Sequence, residues 1–115
     1  MECREELLKE ARELIVTALK SYMLSNCKRA VSMAKLTGQK RIRMEFYGLF
    51  RHYTPSENFP RFMDVFSYLL SCVGLDEVRR LLRAQDVVPD EVYAVYSYEE
   101  YAKLCQEVYE ETSAS

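Results

Sequence analysis

The sequence predicts an all-α fold, a single compact domain of five to six helices, and three observations carry that expectation. Apolar residues recur at i, i+3, i+4 and i+7 in five separate stretches. Gly38 and Gly74 stand at the ends of two of these, where a helix has to stop. The length of 115 residues suits one domain, and a chain of that size buries about two-thirds of its unfolded surface. Only residues 87–96 depart from the pattern, as a short irregular or extended segment.

Leu7, Leu8, Ala11, Leu14, Ile15, Ala18, Leu19 and Tyr22 make the first buried stripe, with Glu5, Lys9, Arg12 and Lys20 off it. The rhythm resumes at Cys27, Ala30, Val31 and Ala34 after a break expected at Ser25-Asn26, and ends at Gly38. Ile42, Phe46, Tyr47, Phe50 and Tyr53 read as a third helix, stopped by Thr54-Pro55 because the residue before proline leaves the helical region. Pro60 is a preorganised first-turn residue for a fourth helix carrying Phe62, Met63, Phe66, Leu69, Leu70 and Val73, closed by Gly74. Asp76 is the expected N-cap of a short helix bearing Val78, Leu81 and Leu82.

Val87 to Tyr96 mixes β-branched and aromatic residues with a Pro89-Asp90-Glu91 helical start. A strand needs a partner, and no other segment reads as one, so a short helix or irregular segment is expected over a hairpin. Ser97-x-x-Glu100 is a capping box, and Tyr101, Leu104, Cys105 and Val108 form the last stripe. Residues 112–115 are expected to fray.

Charge is distributed unevenly. Residues 28–53 hold seven cations against Glu45 alone, whereas residues 76–115 hold ten acids against four bases. Lys28, Lys35, Lys40, Arg41, Arg43 and Arg51 are therefore the candidate nucleic-acid-binding residues, since phosphate contacts need clustered cations. Phe46, Tyr47, Phe50 and Tyr53, interleaved with them, fall on the buried arc of their expected helix and are assigned to the core. A bland alternative is that the basic middle docks on the acidic end.

Ala30, Val31, Ala34, Lys35, Gly38, Lys40, Ile42 and Glu45 follow the pattern A-V-x-x-A-K-x-x-G-x-K-x-V-x-x-E. That run resembles the end of the central helix, the loop and the next helix start of archaeal-type histone folds. The resemblance covers 16 of 115 residues and implies DNA phosphate contacts around Lys40 to Arg43. The short helix and arginine loop that precede this run in histones have no counterpart.

Catalysis and metal binding find little support. Cys3, Cys27, Cys72 and Cys105 are too far apart to present paired thiolates from one short loop, and His52 is the only histidine. The cysteines are read as small apolar thiols, with disulfides between distant helices as the alternative, disfavoured because a chain without a secretory signal is expected in a reducing compartment; no metal site, cofactor or catalytic residue is assigned. No apolar run approaches the roughly 20 residues of a membrane span, and the acidic start Met1-Glu2-Cys3-Arg4-Glu5-Glu6 is unlike a signal peptide. A cytoplasmic setting without membrane contact is expected.

These residues support two functional readings. In the first, a non-enzymatic accessory subunit touches a nucleic-acid backbone through the basic patch without reading sequence. In the second, a protein-only adaptor or homo-oligomerising module uses its acidic, tyrosine-rich C-terminal helix, with Tyr93, Tyr96 and Tyr109 outermost. Five of the nine tyrosines lie beyond residue 92, and tyrosine is enriched at interfaces. Met33 and Leu36, opposite the Cys27-Ala34 stripe, also require a partner or a central position.

Overall fold

In the computed structural model of the chain, which describes residues 2–114, the apolar stripe that begins at Leu7 runs unbroken past Ser25-Asn26. Helix α1 spans Glu5–Thr37, about 50 Å at 1.5 Å per residue, comparable to the longest dimension of the molecule, 46 Å. The expected break is absent, and Asn26 stays within the helix, its Nδ2 donating to the Tyr22 carbonyl at 3.0 Å. Gly38 ends α1 with φ 68°, and the N–H of Gln39 reaches back to the Ala34 carbonyl.

Beyond Gly38 the chain extends into a strand, β1 at Arg41–Glu45, and the short helix α2 begins only at Phe46–His52. The all-α expectation is thus corrected. The histone-like run ends with it, since a strand stands where the next helix should start. Strands β2 (Asp86–Val88) and β3 (Tyr93–Ser97) complete an antiparallel sheet in the order β1-β3-β2, with Ile42 opposite Tyr96, and Val87 opposite Ala94. Residues 87–96 are therefore a hairpin, not a helix.

Its four-residue loop holds Val92 at φ 51°, a left-handed conformation that a β-branched residue rarely adopts. The Val92 N–H donates to the Pro89 carbonyl, and its own carbonyl accepts the N–H of Phe46, the residue that starts α2.

Helices α3 (Phe62–Val73) and α4 (Leu75–Leu82) are joined through Gly74 at φ 90°. The Asp64 carboxylate closes the start of α3 by accepting from the Arg61 N–H at 3.0 Å and from its guanidinium. Asp76 sits in the first turn of α4, not at its cap, and binds Arg79 and Arg80 instead. Helix α5 covers Tyr98–Ala114, so Thr112 and Ser113, expected to fray, are helical, while Ser115 lies outside the described residues. Ser97 Oγ accepts the Glu100 N–H at 3.2 Å, one of the two bonds of the expected capping box.

The core lies where α1 meets α2, α3, α4 and α5, with the sheet closing one side. Ile42, Met44, Val87, Ala94 and Tyr96 point inward from the sheet; Arg41, Arg43, Tyr93 and Val95 occupy its outer face. Because α2 begins at Phe46 rather than continuing a helix from Ile42, only Phe46 and Leu49 are buried from it. Tyr47 is 65% exposed and Phe50 37%, which corrects their assignment to the core.

All four cysteines pair, Cys3 with Cys72 and Cys27 with Cys105, each with a Cα–Cα distance of 5.7 Å. The thiol reading is overturned because the fold brings together positions 69 and 78 residues apart, which spacing along the chain does not reveal. Two bridges of this kind weigh against the cytoplasmic setting expected from the sequence, since disulfides persist in oxidising compartments. Among the described residues, no helix is long and apolar enough to cross a membrane.

One close approach fixes how α2 lies on α1. A Cβ on Gly48 would stand 2.4 Å from Cε2 of Tyr22, whose ring meets His52 edge-on with centroids 5.9 Å apart. Gly48→Ala is expected to lower stability by about 1–3 kcal/mol, as overpacking does. A thermal melt identical to that of the parent would show that the Tyr22 ring swings aside freely.

Candidate functional site

The site begins with the cations, because most of the others in the chain are already committed. Of the nine Lys and Arg outside residues 28–53, seven form ion pairs, and among the described residues only Lys9 and Lys103 do not. Inside that segment the proportion reverses. Lys28, Arg29, Lys35, Lys40, Arg41 and Arg51 are exposed and have no carboxylate partner among the described residues. Arg43 is the exception: it pairs with Glu45 at 2.6 Å and its guanidinium carbon lies over the Tyr93 ring, 3.6 Å from its centroid.

The acidic C-terminal region does not neutralise this segment. Its pairs with sequence-distant cations are Arg12 with Glu77, Lys20 with Glu111 and Arg83 with Glu107, so the docking of basic middle on acidic end is not what the fold does among the described residues. On α4, the guanidiniums of Arg80 and Arg79 hold the Asp76 carboxyl below its ordinary range, and Arg83 does the same to Glu107.

The six predicted cations do not converge on one patch. Lys35 stands in the last turn of α1, and Lys40 and Arg41 come directly after Gly38, with the Lys40 carbonyl accepting the N–H that starts α5. These three share one end of the molecule. Lys28 lies instead beside the groove between α1 and α5. Arg51 sits on α2 next to His52, whose Nδ1 is 3.0 Å from Ser21 Oγ; Ser21 is 14 residues, or roughly 20 Å, from Lys35 along α1. Arg29 was not among the sequence candidates, although its place between Lys28 and Ala30 on an exposed helix face makes it available.

The tyrosines divide as well. Tyr96 is fully buried, and its hydroxyl donates to the Leu82 carbonyl at 2.8 Å, so it belongs to the core and not to a partner surface. Tyr101 is equally buried and meets Tyr96 edge-on at 5.4 Å; burial raises the ionisation range of both phenols. Tyr93 is half-buried under Arg43 on the outer sheet face. Tyr109 is half-buried and lines the groove, the one predicted tyrosine with an open wall to offer. Tyr53, read as core, is half-buried; burial and the carboxylates of Asp64 and Glu10 push its hydroxyl up to about 12 while it donates to the Phe59 carbonyl at 2.6 Å.

That groove measures about 670 Å³ and runs between the second half of α1 and α5. The Cys27–Cys105 bridge forms its floor, and Val31, Ala102 and Tyr109 its apolar walls. Lys28, Gln106, Glu110 and Ser113 rim it. The groove was not legible in the sequence: Val31 reads there as part of a buried stripe, whereas Val31 and Ala102 are half-buried and Gln106 is exposed.

His52 and Ser21 make a serine–histidine contact, with no carboxylate on the imidazole among the described residues to complete a catalytic set. Among the described residues, no group of three or more His, Cys, Asp or Glu is placed to hold a metal. The molecule is thus an α+β domain dominated by helix, with one basic end and one apolar groove. No protein-family model matches the chain, and no curated protein or solved structure is significantly similar to it.

Proposed function

We propose that the protein is a non-enzymatic binding module whose basic end, Lys35, Lys40 and Arg41, together with Arg29 further back along α1, contacts a nucleic-acid backbone without reading sequence. The observation that carries this reading is the concentration of unpaired cations in one segment of a chain whose other cations are nearly all paired. An exposed cation with no internal partner keeps its full attraction for phosphate, and releasing counterions supplies the binding free energy. Sequence readout is not implied, because cation contacts to phosphate carry no sequence information of their own.

Both cysteine pairs are bridged, so binding is measured without reductant. With four phosphate contacts, affinity for a fluorescent duplex or single strand falls with salt at a log–log slope of about −3 to −4, read by fluorescence anisotropy. Reversing Lys35, Lys40 and Arg41 to Glu removes the binding and leaves the circular dichroism unchanged, whereas reversing Lys9 and Lys103 changes neither binding nor circular dichroism. No binding at low salt, or binding indifferent to the triple reversal, refutes this function. The second reading, association through the C-terminal helix, is favoured by Tyr109 and its groove.

A further inference from the structure

We infer that the groove between α1 and α5 is the seat of a second copy of this chain, giving a two-fold dimer in which the two helix pairs pack as four helices. This stands independently of any nucleic-acid contact.

The first support is helical spacing. Helix α5 presents Ala102, Gln106, Tyr109 and Ser113 to the groove, at intervals of four, three and four residues. Helix α1 repeats the same intervals at Leu24, Lys28, Val31 and Lys35, with Lys28 and Val31 lining the groove and Leu24 exposed beside them. Alternating steps of three and four are what a helix shows when a neighbouring helix packs along it. Here the two rows lie side by side, held in place by the Cys27–Cys105 bridge and the Lys20–Glu111 ion pair, and none of the chain's described helices covers them.

The second support is charge, and it selects the occupant. A two-fold interface has to complement itself, each residue meeting whatever lies across the axis. The same bridge and ion pair set α1 and α5 antiparallel, so Leu24 and Ser25 on α1 stand level with Gln106 to Val108 on α5, near the middle of the groove. Lys28 lies about one turn to one side of that level on α1, and Glu110 about one turn to the other side on α5. A two-fold axis through the middle of the groove carries Lys28 of one copy onto Glu110 of the other, twice per dimer. Both are exposed, Lys28 has no ion-pair partner among the described residues, and Glu110 accepts only the Gln106 amide.

Other occupants fit less well. A small apolar ligand leaves the Lys28 and Glu110 charges unanswered, and a nucleic acid meets the carboxylates of Glu110 and Glu111 along α5.

The test is mass in solution, by light scattering and sedimentation on the full oxidised chain across low to about hundred-micromolar concentration. The expected result is twice the 13.5 kDa of one chain. Lys28→Glu alone and Glu110→Lys alone each weaken the dimer at least tenfold, and the double exchange Lys28→Glu with Glu110→Lys restores most of the loss. Ala102→Arg, which fills the groove wall, yields monomer with unchanged circular dichroism. A parent that stays monomeric throughout overturns the inference, as does a dimer indifferent to these variants or single exchanges that the double exchange fails to rescue.

Discussion

Replacing both Cys27 and Cys105 by Ala is expected to lower the free energy of unfolding by about 4–5 kcal/mol. The bridge closes a loop of 78 residues, and chain-entropy estimates for a loop of that size give about 4.5 kcal/mol through the unfolded ensemble. A domain of this length holds about 5–15 kcal/mol in all, so the loss is a large share of its stability. Urea denaturation of the parent and the double variant measures it directly. Added reductant should open Cys3–Cys72 first, since Cys3 is exposed ahead of α1 while Cys27 and Cys105 are buried. A midpoint that does not move after thiol titration shows both bridges open would refute the stabilising role.

Phe66→Ala carries the second large effect, an expected loss of about 3–5 kcal/mol. Phe66 is almost fully buried on α3 and packs edge-on against Phe46 of α2, with centroids 4.9 Å apart, and beside Phe62 at 6.4 Å. Removing the ring leaves a cavity between α2 and α3 that neither helix closes easily, because Gly48 already holds α2 against Tyr22 on its other side. The change is read from the denaturation midpoint at unchanged slope. A loss below about 1 kcal/mol would mean that the α2–α3 contact is loose or collapses to fill the gap.

Much of the helical framework was legible along the chain. Ala11, Ile15, Ala18 and Leu19 on α1, Phe62, Phe66 and Leu69 on α3, and Tyr101, Leu104, Cys105 and Val108 on α5 were expected inside and are buried. Gly38 and Gly74 stop their helices with positive φ. The basic surface was legible only as a count of charges. Its division into a basic end, the groove-side Lys28 and the distant Arg51 depends on α1 being a single helix rather than two.

The sheet shows why the remainder was hidden. Arg41-Ile42-Arg43-Met44-Glu45 alternates strictly between exposed and buried, yet five residues are too few to set against Ile42, Phe46 and Phe50, which share a helical interval. The segment becomes a strand because Tyr93–Ser97, about fifty residues later, supplies the hydrogen-bonding partner.

What the sequence by itself determined are the features written at helical range: which residues face inward on α1, α3 and α5, where two of the helices stop, and where unpaired positive charge accumulates. Tertiary structure alone decided whether residues 41–45 pair as a strand, which cysteines meet, and that Tyr96 finds the Leu82 carbonyl inside while Tyr109 stays at an open groove. The first set depends on groups within four residues of one another. Each member of the second depends on a partner brought near only when the whole chain has folded.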